Sequence, residues 1–297
     1  MGLRIIITSL ILLLFSCDRK QNKPESYYYD LENANKGVVK LYADSSTKYL
    51  LDQFKLIYPA HYPEASLQPV YTTTRNVLNA IYLDSVRLVI LNRNFTQHEM
   101  YLIQKKYDSK PIQHVFAYDA ITFVSSRNSE IKTIDSLTLA ERFQNENGRF
   151  VTTQADVHIL SLLYKQLGNV QGNKDLIVIR NIAELKRYLD KNPDYIGILP
   201  FSVVSDQGNP EVRRIASEFN WLGIVNSHGV VYPSQSTIYT KEWPYILPYT
   251  VLYCNLATDK GKGFVKFLLS TQGARLILKT GLVPTKLPER LIQIKPE

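Results

Sequence analysis

Val86-Arg87-Leu88-Val89-Ile90-Leu91 is apolar at five of its six positions. A strand with one solvated face alternates apolar and polar residues, whereas a strand covered on both faces does not. The run therefore predicts a strand sandwiched between helical layers, as in a mostly parallel α/β sheet. Outward from it, Thr96 with Glu99 three residues on is a capping-box pattern, and it opens a helix predicted over Thr96–Lys106. Upstream, Arg75–Leu83 reads as a helix through Val77, Leu78 and Ile81, and Leu67–Tyr71 reads as a strand. Ser46–Tyr58 reads as a helix with Leu50, Leu51, Phe54 and Ile57 inward, and Val38–Ala43 as the strand before it. Ile112–Phe116 is the last strand of this first unit.

The alternation restarts after Asp119. Ala120–Val124 reads as a strand, followed by helices near Leu137–Phe143 and Ala155–Leu167. Strand Leu176–Ile179, helix Ile182–Leu189 and strand Tyr195–Leu199 complete a second unit. Strand Tyr245–Asn255 is followed by helical turns Phe264–Leu269 and Gln272–Lys279, with Gly281 placed as a C-terminal cap. The expected fold class is α/β, with two doubly wound lobes and ligand in the crevice between them.

The N-terminus carries a different message. Met1–Arg4 holds one positive charge, and Ile5–Phe15 is apolar apart from Thr8 and Ser9. A membrane-spanning helix needs about 20 apolar residues and a signal peptide only about 7–15, so this run predicts cleavage. Leu14-Phe15-Ser16-Cys17 resembles the lipobox of bacterial lipoproteins, which implies lipid on Cys17 and a precursor cleaved after residue 16. Residues 17–37 read as a polar tether. The other cysteine of the two, Cys254, lies in an apolar run and is expected to be a small buried thiol, so no disulfide is implied.

The chain of 297 residues has 35 Lys+Arg against 27 Asp+Glu. The basic residues are scattered, with no run of four, so nucleic acid is not an expected partner. The five histidines include no pair at i, i+4, which argues against a metal site. No G-x-S-x-G, P-loop or G-x-G-x-x-G is present, so an enzyme is not expected; Asp156 with His158 is the one nearby acid/base pair. No cofactor is expected.

Three strand-to-helix junctions carry hydroxyl clusters: Asp44-Ser45-Ser46-Thr47, Thr72-Thr73-Thr74-Arg75 and Thr152-Thr153-Gln154. Helix N-termini present free N–H groups and a favourable dipole to anions, and hydroxyls add neutral donors. The same residues also serve as ordinary N-caps. Arg93, directly after the buried strand, is placed at the carboxyl end of the sheet, where it can clamp a carboxylate or phosphate. The candidate ligand residues are thus Ser45, Ser46, Thr47, Thr73, Thr74, Arg93, Thr152, Thr153 and Gln154.

Three segments carry a family resemblance: Val86–Glu99 (VRLVILNRNFTQHE), Tyr195–Asp206 (YIGILPFSVVSD), and the run from Trp243-Pro244 through Phe264–Gly273 (FVKFLLSTQG) to Gly281-Leu282-Val283-Pro284. With these the chain resembles the phosphate-binding subunits of phosphate ABC importers, within the type II periplasmic solute-binding superfamily, over roughly 38–292. The resemblance implies two lobes closing about a two-strand hinge, with crossings near Tyr118–Phe123 and Trp243–Tyr249. Lobe 1 would be 38–118 with 243–297, and lobe 2 would be 119–242. It places the phosphate loops on Asp44–Thr47, Thr72–Thr74 and Thr152–Asp156. The chain departs from the family in having no glycine in the last two loops, Phe150-Val151 where the family has a ligand arginine, and Arg93 where many members have an aspartate.

The function expected is that of a lipid-anchored, monomeric, extracytoplasmic binder of phosphate or a related small oxyanion, delivering it to an ABC permease. The alternative is an envelope adaptor or sensor that keeps the fold without the ligand.

Overall fold

The computed structural model describes residues 36–144, 148–156, 158–168, 176–227, 229–254 and 259–288. Cys17 and the apolar N-terminal run lie outside them, as does nearly all of the proposed tether. Strand β1 (Gly37–Asp44) runs through the turn Ser45–Thr47 into helix α1 (Lys48–His61), followed by β2 (Ala65–Thr72), α2 (Thr74–Tyr82), β3 (Leu88–Leu91) and α3 (Gln97–Tyr107). β1 pairs in parallel with both β2 and β3.

The first quoted run behaves as its composition requires. Leu88 and Ile90 belong to one hydrophobic cluster, with Leu41, Phe54 and Phe264. Val89 and Leu91 belong to another, with Val77, Ile81 and Leu252. Both faces of β3 are covered, and all four residues are buried. Burying a side chain of this size is worth about 1.5–3 kcal/mol, so a polar residue on either face would be costly.

The strands expected at Ile112–Phe116 and Ala120–Val124 are in fact one, β4 (Ile112–Ser126). The polar pair Tyr118-Asp119 looks like a break in the sequence, yet Asp119 is fully buried inside the strand. Its N-terminal part pairs antiparallel with β12 (Ile246–Tyr253), and its C-terminal part pairs antiparallel with β8 (Ile196–Pro200). β4 is therefore shared by two halves of a continuous curled sheet, in the order β2-β1-β3-β12-β4-β8 and onward to β6 (Phe150–Thr153) and β7 (Ile177–Ile179). β6 is parallel to β7 and β8.

The second half is completed by short pieces. β5 (Thr133–Asp135), β10 (Gly223–Asn226) and β11 (Gly229–Val231) form a separate three-stranded sheet, and β9 (Phe219–Trp221) pairs with the end of β4. Helices α4 (Ser136–Gln144), α5 (His158–Gln166), α6 (Ile182–Lys191), α7 (Ser202–Ser205), α8 (Pro210–Ser217) and α9 (Gln235–Tyr239) belong to this half. Helices α10 (Asp259–Leu268) and α11 (Thr271–Lys279) and strand β13 (Val283–Pro284) follow β12. Gly281, with φ +82, ends α11 in the left-handed conformation expected of a C-terminal cap.

Two lobes result, each with hydrophobic clusters on both faces of its sheet. One lobe's clusters draw on residues 39–117 and 249–282. The other's draw on residues 120–247 with Val283. Cys254 is buried and free, and its burial pushes the thiol up to about 11.

Candidate functional site

The first two junctions meet because β1 and β2 are in register up to Asp44 and Thr72. Asp44, 4% exposed, occupies the centre. Its Oδ1 accepts from the Ser46 amide at 3.0 Å and the Ser46 hydroxyl at 2.7 Å. Its Oδ2 accepts from the Thr74 hydroxyl of the second junction. Thr47 Oγ1 donates to the Asp44 carbonyl at 2.7 Å, and Ser45 Oγ to the Thr72 carbonyl at 3.1 Å. Thr73 caps α2 by accepting from the Asn76 amide. The sequence signal for Asp44 was its place in the Asp-Ser-Ser-Thr cluster. What the sequence did not reveal is that its carboxylate gathers donors from two loops.

β3 ends at the same edge. Arg93 forms a two-pronged pair with Glu99, at 2.7 and 2.9 Å, and also donates to the Asn94 carbonyl at 2.8 Å. Burial by itself would raise the Glu99 carboxyl; Arg93 and the Thr96 amide outweigh it and hold Glu99 below its ordinary value. Glu99 is also the acidic half of the predicted capping box, which forms with Thr96. The Arg93 charge is thus met by the first turn of the helix that follows it. Asn92, between Leu91 and Arg93, is 3% exposed, and its Nδ2 has no hydrogen-bond partner.

Behind these loops lies a group that sequence reasoning missed. Asp119 Oδ1 accepts from the Ala120 amide at 2.7 Å and the Ser202 amide at 2.9 Å. The Tyr249 hydroxyl lies 3.1 Å from Asp119 Oδ2 and 3.2 Å from the Ser46 carbonyl. Burial raises the Asp119 carboxyl above its usual range, against the pull of its hydrogen bonds from Ser202, Ala120 and Tyr249. Burial and the neighbouring Asp119 raise Tyr249 well above the ordinary tyrosine value. A hydroxyl has one proton and stands here between two acceptors. With Asp119 ionised the hydroxyl's single proton is divided between the two; with Asp119 protonated, the carboxyl would donate to Tyr249 and Tyr249 to Ser46. The chain Ser202–Asp119–Tyr249–Ser46 ties the first junction to the other lobe.

The third junction stands apart. Thr152 Oγ1 donates to the Ile198 carbonyl at 2.9 Å, within the sheet. Thr153 Oγ1 donates to Asp156 Oδ2 at 2.6 Å, and the Gln154 amide to the Ile179 carbonyl at 2.7 Å. Thr153 and Asp156 line a cavity of about 450 Å³ with Arg180, Asn181, Val203 and Arg214, all from the second lobe. The structure therefore brings Ser45, Ser46, Thr47, Thr73 and Thr74 to one edge with Arg93, whereas Thr152 and Gln154 bond to carbonyls within the second lobe and Thr153 lines that lobe's hollow.

A clasp joins the lobes next to the first junction. Tyr49, at the start of α1, donates to the Asp206 carboxylate beyond α7. Burial and then Asp206 push Tyr49 up to about 12. Ser205 Oγ donates to the Thr280 carbonyl at 3.2 Å, and Gln235 donates to the carbonyls of Leu278 and Leu282.

The fold has relatives. The sequence profile described as the PBP superfamily domain matches residues 31–272. No curated protein sequence matches the chain. Among solved structures, PstS from Borrelia burgdorferi is similar at 19% identity and a TM-score of 0.59, over 84% of this chain and 99% of that one. A putative phosphate ABC transporter substrate-binding protein from Clostridium perfringens, solved with bound phosphate, is similar at 14% identity and a TM-score of 0.66, over 84% and 100%. An ABC-type phosphate transport receptor from Vibrio cholerae is similar at 13% identity and a TM-score of 0.66, over 84% and 100%. At these identities the likeness is one of fold. Because the profile spans most of its length, the chain belongs to the PBP superfamily domain family, and it has the two-lobed α/β architecture of these receptors.

Proposed function

We propose that this chain is the lipid-anchored, extracytoplasmic solute-binding component of an ABC-type importer, taking phosphate or a related small oxyanion without covalent chemistry. The observation that carries the reading is the meeting of the first two hydroxyl junctions at one sheet edge, where the Ser46 amide and the Ser46 and Thr74 hydroxyls converge on one carboxylate. A set of neutral donors that holds a carboxylate is chemically suited to an oxyanion. The likeness in fold to phosphate-binding receptors supports the ligand class.

On this reading lobe 1 comprises 38–118 and 243–297, lobe 2 comprises 119–242, and closure about β4 and β12 buries the ligand and presents a monomer to the permease. The ligand residues are Ser45, Ser46, Thr47, Thr73, Thr74 and Arg93 on lobe 1, with Thr152, Thr153 and Gln154 completing the site from lobe 2. Cys17 carries the lipid and residues 17–37 form the tether. Among the described residues no helix is long and apolar enough to cross a membrane. Loss of fatty-acid incorporation in Cys17→Ser, with the apolar leader uncleaved, is the expected result of labelling cells that express it.

A second reading has its own support. Asp44 already holds the Ser46 and Thr74 donors, and Glu99 already holds Arg93. These contacts favour an envelope adaptor or sensor that keeps the fold and binds no anion. Thermal unfolding of the chain from Asp18 onward decides between them. A ligand at 100 times its dissociation constant adds about 2.7 kcal/mol of stability. A selective rise with phosphate, sulfate or a phosphonate supports the binder, and no rise with any of them supports the adaptor.

A further inference from the structure

We infer that Asn92 contacts the ligand, its side-chain amide donating a hydrogen bond to an oxygen of the bound anion; this rests on the binding reading above. Asn92 is 3% exposed, and among the described residues its Nδ2 is the buried side-chain nitrogen that has no partner. Buried polar groups in folded proteins are almost always satisfied, so an orphaned donor calls for a reason. Packing does not supply one. The strand that ends at Leu91 is apolar throughout Leu88–Leu91, and another aliphatic residue at position 92 would leave no polar atom unpaired.

Position supplies the reason. Ala43 pairs with Ile90 on one side of β3, so Asp44 and Asn92 lie one and two residues past the last pair, at the same edge. Thr250 pairs with Leu91 on the other side, in antiparallel register, which sets Tyr249 level with Asn92. Asn92 is therefore flanked by the Asp44 junction and by the tyrosine that reaches the Ser46 carbonyl. The neighbouring hydroxyls already have acceptors within the protein: Ser46 and Thr74 on Asp44, Ser45 on the Thr72 carbonyl, and Thr250 on Asn94 Oδ1. The Asn92 amide is a neutral donor held without an acceptor in their midst. Such a donor suits a ligand oxygen, because it adds no charge of its own and gains from an ionised acceptor.

The test uses the full-length protein purified in detergent, with inorganic phosphate as the first probe and sulfate and methylphosphonate beside it. Asn92→Ala removes the donor, and Asn92→Asp replaces it with an acceptor of nearly the same shape. Titration calorimetry is expected to show phosphate binding at least tenfold weaker in both variants. Thermal unfolding without anion is expected to leave Asn92→Ala as stable as the parent or more so, since an unpaired polar group is gone. A purely structural amide gives the reverse pattern, with lower stability of the free protein and unchanged affinity, and that result overturns the assignment. Equal binding by parent and variants also overturns it, while the anion-binding reading stands. A parent that responds to none of the three anions overturns both.

Discussion

Asp119 is the residue whose chemistry most depends on its surroundings. Its folded carboxyl titrates above the ordinary carboxylate value because it is buried. A carboxyl raised by folding contributes stability at low pH, fully present below the unfolded value and lost as pH rises through the folded one. Asp119→Asn mimics the protonated state: its oxygen keeps the Ala120 and Ser202 amides, and its NH₂ donates to Tyr249, which then donates to Ser46. Urea unfolding from pH 4 to 8 is expected to show a flatter profile for the variant, which at pH 8 should be at least as stable as the parent. A loss of more than about 2 kcal/mol at pH 8 would mean that the ionised carboxylate is the form the fold needs. At Asp44 the sequence offered an N-cap, and the structure adds a hydroxyl from another loop. That second role was not legible, because it depends on a register 28 residues away, between Asp44 and Thr72.

At the level of elements, α3 and the α11 terminus are held by different devices. The capping box at Thr96 and Glu99 was legible from spacing alone, because both partners lie within one turn. Thr96→Ala is expected to cost about 1 kcal/mol in chemical unfolding, the ordinary worth of an N-cap. Glu99→Ala should cost more, about 2–3 kcal/mol, because Glu99 also carries the two hydrogen bonds from a mostly buried Arg93. Gly281 has two reasons to be glycine. Its φ is +82, and a Cβ there would lie 2.2 Å from the carbonyl carbon and oxygen of Ser205. Gly281→Ala is expected to destabilise by about 3 kcal/mol or more, since the obstructing atoms are backbone and the clash falls between the lobes. A loss under about 1 kcal/mol would mean that the lobes part there easily.

For the molecule as a whole, the question is what holds the lobes together. β4 and β12 join them covalently, and the Tyr49–Asp206 clasp joins them through side chains far apart in sequence. The Tyr49 hydroxyl, raised to about 12, stays protonated and able to donate throughout the physiological range. Tyr49→Phe with Asp206→Asn is expected to loosen closure. Small-angle X-ray scattering should report a larger radius of gyration for the double variant without anion than for the parent. Identical scattering curves would show that the hinge strands alone set the closed arrangement. The clasp also bears on affinity, since a lobe pair already held shut gains less from its ligand.

Local patterning was enough to determine the alternation of strands and helices around Val86–Leu91 and most of the inward faces of α1 and α2; at α1 the expected Ile57 is exposed, and Tyr58, one position on, is buried in its place. It also determined the capping box and the glycine stop after α11. Each of these is written within a turn or a strand, where spacing and side-chain type act directly. The three-residue strands β5, β7, β9 and β11 are too short for a period to declare itself, although a β-rich run at Leu176–Ile179 did mark β7. Continuity of β4 through Asp119 was hidden because a carboxyl group in a strand looks like a boundary until its amide partners are known. The sequence named the hydroxyls of the candidate site. Tertiary structure alone decided which of them meet, that Asp44 and Glu99 already engage several, and that Asn92 is left with an unpaired donor. Hydrogen bonds across 30 to 130 residues follow from sheet register and lobe packing, and no local pattern encodes them.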